Sequence, residues 1–285
     1  MRVGASLEVK ARIRDIDVHY ETHGTGEPLL LIHGLGSSTE DWEPQVSDFA
    51  SHFRVITYDV RGHGRTDKPR SRYSIRQFAD DAAALLHHLD VGPAHILGIS
   101  MGGMIALQLA VDHPKTVKSL TIVNSGPELV LRTWKQRIAI YSRFAIVRLM
   151  GMRKMGELLA TRLLPGPAHA AARDTFVERW ARNDPGAYLR ALRALIGWSV
   201  TSSLGSIAAP MLVLTADQDY TPVIFKEEYT AKVPGARLVV VPDSRHMLPV
   251  ERPAEFNRAA LDFLRGLAGS GPSLATAAPA TQSRA

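Results

Sequence analysis

An α/β fold is predicted here: a mostly parallel sheet of eight strands, flanked by helices on both faces and interrupted by an all-helical insert. Three observations predict it. Short continuous apolar runs alternate with helical spacings up to residue 126 and again from residue 204, as expected of strands buried on both faces and their helical crossovers. From 127 to 203 that alternation stops and only helical stripes remain. The apolar run at 94–99 halts at Gly98-Ile99-Ser100-Met101-Gly102 and a helical pattern begins at once, so a strand turns sharply into a helix around a serine.

In chain order, Val9, Ala11 and Ile13, then Ile16, Val18 and Tyr20, alternate as two strands joined at Arg14-Asp15. A turn at 24–28 leads to a buried strand at 29–32, a helix near 42–49, a strand at 55–58 and a helix over 75–89. The strand at 94–99 and its helix, to about His113, precede another strand at 120–124. The insert carries four stripes: Trp134, Ile138, Tyr141, Ala145 and Leu149; Met155, Leu158, Leu159 and Leu163; Phe176, Val177 and Trp180; Tyr188, Leu192, Leu195 and Ile196. Pro165-Gly166-Pro167 and Asn183-Asp184-Pro185-Gly186 break it. Strands at 211–215 and 238–241 and a helix over 254–267 complete the sheet pattern. The expected organisation is a core at 1–126 and 204–268, a lid at 127–203 and a disordered Ala/Pro/Ser/Thr-rich tail at 269–285.

The chain is long enough, at 285 residues, to bury a large core, and 45% apolar with 22% charged residues is an ordinary soluble composition. With no cysteine, disulfides and cysteine-based metal sites are excluded. The first 17 residues lack the apolar core of a signal peptide and no run approaches the roughly 20 residues of a membrane span, so the expected location is cytoplasmic. The net charge of +6 is uneven: residues 134–197 hold 12 Lys/Arg against four acids. A solvated helical surface is the plain reading of that excess, and attraction of an anionic substrate or an acidic carrier protein is the functional one. No basic face with interleaved aromatics suggests nucleic acid.

Glycine on both sides of Ser100 relieves crowding at a strained reversal that would lift the serine hydroxyl clear of the sheet. A serine needs a base to act as a nucleophile. Of 11 histidines, His246 is selected by its loop directly after the last strand, with His63 the nearest competitor; His87, His88, His113 and His169 fall in helical segments or at their ends. An acid to orient the base is offered after the 211–215 strand by Asp217 and by Asp219, whereas the end of the preceding strand offers only the uncharged Asn124 and Ser125. Either choice gives the order Ser, Asp, His.

Five ordered motifs now converge: His33-Gly34-Leu35-Gly36, Asp59-x-Arg61-Gly62-x-Gly64-x-Thr66, Gly98-x-Ser100-x-Gly102-Gly103, Asp219-x-x-Pro222 and His246-x-x-x-x-Glu251-x-Pro253. Over about residues 9–267 the chain resembles the lidded α/β-hydrolases of the bacterial esterase, lactonase and C–C hydrolase group, whose nucleophile elbow is G-x-S-x-G. Thr66 replaces the usual serine and Ala216 the usual glycine before the acid, and across the lid the likeness is vague.

The resemblance implies Asp219 rather than Asp217 as the acid, giving a triad of Ser100, Asp219 and His246, and an oxyanion hole from the backbone N–H groups of Leu35 and Met101. It places His33, Asp59 and Arg61 in loop packing and turn shaping, with His33 and Gly34 also beside the substrate. Met150, Met152 and Met155 either wall an adaptable acyl pocket, with Met150 and Met155 as substrate contacts, or pack the lid helices. A serine at the elbow, where related epoxide hydrolases and dehalogenases carry aspartate, directs attack to a carbonyl. The expected activity is therefore a carboxylesterase for short to medium acyl chains, with a small ester or lactone substrate and neither metal nor organic cofactor. The alternatives are a lactonase, enol-lactonase or C–C bond hydrolase with the same triad, and, in another class, a non-catalytic receptor or scaffold of the same fold.

Overall fold

The structure, a computed structural model, describes residues 7–268; the tail expected at 269–285 lies outside them. Strands β1 (Leu7–Ile13) and β2 (Ile16–His23) pair antiparallel, turning at Arg14 and Asp15 as the alternation predicts, with Arg14 at φ 54°. They are followed by β3 (Pro28–Ile32), α1 (Glu43–Ala50), β4 (Arg54–Tyr58), α2 (Ile75–His88), β5 (Ala94–Ile99), α3 (Met101–Asp112) and β6 (Val117–Val123). Next come α4 (Trp134–Leu163), α5 (Ala170–Ala181), α6 (Pro185–Leu195), β7 (Met211–Ala216), α7 (Val223–Thr230), β8 (Arg237–Val241), α8 (Leu248–Glu251) and α9 (Pro253–Ala268).

The eight strands form one sheet in the order β1-β2-β4-β3-β5-β6-β7-β8, parallel from β4 to β8. Because β3 and β5 are central, Leu29, Leu30 and Leu31 are all fully buried, which is why that segment is apolar without alternation. One face packs on α2 and α3 through Phe78, Leu85, Ile105 and Leu109, the other on α1 and α9 through Phe49, Phe256 and Leu264. Parallel register brings the ends of β3, β5 and β6 level, pairing Ile32 with Gly98 and Ile99 with Val123. His33, Ser100 and Asn124 therefore emerge side by side, at the carboxyl edge where such sheets bind ligands. Among the described residues, no helix is long and apolar enough to cross a membrane.

Helices α4 to α6 lie in the chain between β6 and β7, and Glu128 bridges Ser199 where the segment leaves and rejoins the sheet. A capping box of Thr133 and Gln136 starts α4, and Asp184 caps α6. The four stripes do not fare alike. Phe176, Trp180, Tyr188 and Leu192 are buried as their spacing predicts, in a third apolar cluster that reaches core residues Leu35, Met247 and Val250. The first stripe instead faces solvent: Trp134, Ile138, Tyr141 and Leu149 are exposed, while Phe144 and Val147 on the other side of the helix are buried. The cause is a second apolar series on the same helix (Ile140, Phe144, Val147), and this series meets the rest of the insert. Gly151 (φ 81°, ψ 179°) then kinks α4 and turns its second half, so Met152, Met155 and Leu159 point inward.

Candidate active site

The strand-to-helix reversal is as tight as the glycines suggest. A Cβ on Gly98 would lie 2.2 Å from the Gly102 carbonyl oxygen, and one on Gly102 would lie 2.0 Å from that of Ile32. Ser100 is held at φ 55°, ψ −116°, a conformation a non-glycine residue adopts only under constraint. The constraint is visible: its N–H donates to Val123 O (2.9 Å), and its carbonyl accepts from Gly103 N (3.0 Å), Met104 N (3.2 Å) and the Ser125 hydroxyl (2.6 Å).

His246 lies in the loop after β8, with its Nδ1 2.6 Å from Asp219 Oδ1. Ser100 and His246 border the same two adjoining cavities, and no hydrogen bond links the serine hydroxyl to the ring in this structure. Catalytic hydrogen bonds in ligand-free enzymes are commonly loose in this way. Asp217 lies outside the pair, accepting instead from the N–H groups of Asp243 and Ser244 (3.1 Å each) and so shaping the histidine loop. Asp219 is thus the carboxylate that meets the histidine.

Two residues at this centre escape sequence reasoning. Lys226, on α7, is fully buried and donates to Asp219 Oδ2 (2.5 Å) and Thr221 O (2.6 Å). Burial works against ionisation of Asp219, but His246 and then Lys226 outweigh it, and the carboxyl lies well below its usual range. Burial likewise lowers the Lys226 ammonium, against the attraction of Asp219. Asn124 donates through Nδ2 to the carbonyls of Arg245 and His246 (3.0 Å each) and accepts from Ala216 N (2.8 Å), tying the His246 loop to β7. A lysine beside two glutamates in a short helix looks solvated in sequence, and Asn124 offers the sequence only an uncharged side chain at the end of a strand.

His33 borders the smaller cavity, of about 90 Å³, but both ring nitrogens are occupied. Nε2 accepts from Val60 N–H (3.0 Å) and Nδ1 donates to Gly34 O (2.8 Å), while burial pushes its pKa down to about 4. It is a neutral loop-packing residue, edge-on to His63, which burial and then the adjoining His33 imidazole push down to about 3. Asp59 accepts from Thr39 N (2.8 Å) and Arg65 N (2.7 Å), and Arg61 bonds Asp81 and Asp15, so both shape turns.

Gly34 and Leu35 also border the smaller cavity, and the N–H groups of Leu35 and Met101 have no acceptor among the described residues. The lid methionines divide. Met155 is buried and lines the larger cavity, of about 500 Å³, a size suited to a small ligand. Met150 does not line either cavity; it is exposed beside the Gly151 kink, which corrects its expected role in substrate binding. Among the described residues, no cluster of three or more His, Cys, Asp or Glu side chains could hold a metal ion.

A family model described as alpha/beta hydrolase fold matches residues 27–145. The (E)-2-((N-methylformamido)methylene)succinate hydrolase of Acinetobacter baylyi is 31% identical over 257 residues, covering 85% of this chain and 91% of that protein. The chain belongs to the alpha/beta hydrolase fold family. Another relative of this hydrolase, the 3-oxoadipate enol-lactonase 2 of the same organism, is 28% identical over 86% of the chain and 92% of its own length. The enol-lactonase of Burkholderia xenovorans has the same fold, with a TM-score of 0.84 over 90% of this chain and 100% of that one at 24% identity.

Proposed function

We propose that this hydrolase cleaves carboxylic esters of short to medium acyl chains through an acyl-enzyme on Ser100, beneath helices α4 to α6 acting as a lid. The observation that carries the reading is the 2.6 Å bond from Asp219 to His246 Nδ1, on a ring that borders the same cavity as the elbow serine. With Nδ1–H held by Asp219, Nε2 is left unprotonated and can take the Ser100 proton as Oγ attacks the substrate carbonyl. The free N–H groups of Leu35 and Met101 receive the negative charge on the tetrahedral oxygen. The imidazolium returns its proton to the departing alcohol, and a water activated by Nε2 then releases the acid. A lactone would follow the same course, its alcohol staying attached to the acid; the relative named as an enol-lactonase favours this as the second reading.

A fluorophosphonate probe should label the wild type and not Ser100→Ala, and Ser100→Ala should lower kcat on p-nitrophenyl esters by on the order of 10⁴-fold or more. Equal labelling of the two proteins would remove the nucleophile. A panel of p-nitrophenyl esters of graded length beside a set of lactones separates the two readings.

A further inference from the structure

The charges around the larger cavity do not balance. Its carboxylates each have a cation: Glu128 pairs with Arg132 (2.5 Å), and Asp219 is taken by His246 and Lys226. In the smaller cavity Asp41 is matched by Arg179 (2.9 Å), which also reaches Glu40 and Glu43. Two arginines are different. Arg143, on the first half of α4, borders both cavities, and Arg162, near the end of α4, borders the larger one. Neither forms an ion pair with a carboxylate among the described residues.

Arg143 borders both cavities together with Tyr220, and Arg162 approaches the ring of that tyrosine directly. Arg162 lies over it at 4.9 Å from the centroid, and the ring itself lies 4.3 Å from that of His246. Burial pushes the Tyr220 phenol up to about 12, and the positive charges that oppose this are those of Arg143 and Arg162. The surrounding wall is apolar: Ile146, Met155, Leu159 and Leu192. An arginine charge in such a setting favours an anion, and its fork matches a carboxylate.

We infer that Arg143, assisted by Arg162, is an anion subsite, and that the ester or lactone carries a carboxylate held beneath the helical insert while its reacting carbonyl lies at Ser100. The inference rests on the ester-hydrolase reading for its chemistry but not for its binding step. It also gives the basic excess of the insert a local purpose: the arginines facing the core loop, Arg179 and Arg182, are already matched by Glu40, Asp41 and Glu43, while the two facing the cavity are not.

The test compares mono-p-nitrophenyl adipate with p-nitrophenyl hexanoate, of equal chain length and differing in the terminal carboxylate. The ratio of kcat/KM between them should exceed one in the wild type and fall about tenfold or more in Arg143→Met. Arg162→Met should lower it less, and Arg143→Lys, which keeps the charge without the fork, should restore part of it. A wild-type ratio of one or below, or a fall under threefold in Arg143→Met, overturns the subsite. Calorimetry with monomethyl adipate, comparing Ser100→Ala with Ser100→Ala/Arg143→Met, needs no turnover. Binding weakened at least threefold by the second substitution supports the subsite even where no ester is cleaved; equal or absent binding overturns it.

Discussion

Gly102 in the sheet-bearing core and Gly151 in the helical insert each allow a change of chain direction, for unlike reasons. At Gly102 the limit is space, since a Cβ would meet the Ile32 carbonyl; at Gly151 it is backbone conformation alone, with nothing within 4 Å. The same contrast runs through the ion pairs. Lys226 and Asp219 are both buried, whereas Arg153 and Glu178 in the insert are 54% and 65% exposed. It holds for apolar residues too: almost all of α3 is buried, while the first stripe of α4 lies in solvent. One kind of residue therefore carries different weight in the two regions, according to what surrounds it. The core fixes the geometry of the elbow, whereas these positions of the insert meet solvent rather than neighbouring backbone.

The sharpest way to break this comparison is to treat the two glycines alike. Gly102→Ala forces apart two backbone segments and should cost about 4 kcal/mol or more, read as loss of folded protein or a collapsed denaturation midpoint. Gly151→Ala adds only backbone strain, about 2 kcal/mol. Equal costs would mean that the elbow is not sterically locked. The ion pairs come next. Lys226→Met removes the buried cation beside Asp219, leaving the carboxylate its hydrogen bond to His246 Nδ1, and should cost about 3 kcal/mol by urea denaturation. Arg153→Met removes a solvent-screened pair and should leave the midpoint where it was.

Acid should weaken the core through His33 and His63. Their folded-state pKa values, about 4 and about 3, lie below the 6.5 of the unfolded chain, so the unfolded chain binds protons first. The stability they confer is complete above pH 6.5 and is lost as pH falls towards 4 and 3. At pH 5 the loss is about 2 kcal/mol for each histidine. Denaturation at pH 7 and pH 5 measures it, and His63→Phe should reduce the slope. A stability independent of pH across this window would mean that the two rings already bind protons in the folded state.

The elbow, the histidine and the positions of the buried strands are readable because each is forced by a local rule. Glycine is required where backbones touch, and an apolar run without alternation must be buried on both faces. Asp219 was separated from Asp217 only by resemblance, since two aspartates two residues apart leave the spacing undecided. Lys226, Asn124 and Arg143 were not readable, because their roles depend on where distant segments meet. Met150 was misplaced because a helix with apolar residues on two sides does not announce which side packs, and Gly151 redirects the chain one residue later.

The smallest expected effect tests that last ambiguity. Leu149 is 83% exposed and belongs to the stripe that the spacing alone would bury. Leu149→Ser should therefore change stability by no more than about 0.5 kcal/mol, as for a surface site. Val147, two residues earlier, is 3% exposed within the cluster formed by Phe144, Met155 and Tyr188. Val147→Ala removes two methyl groups from a closed apolar site and should cost about 1–2 kcal/mol. The pair fixes the orientation of α4 by thermodynamics alone. If Leu149→Ser proved the costlier change, the helix would be rotated, and Arg143, four residues before Val147 on the same face, would no longer border the cavity.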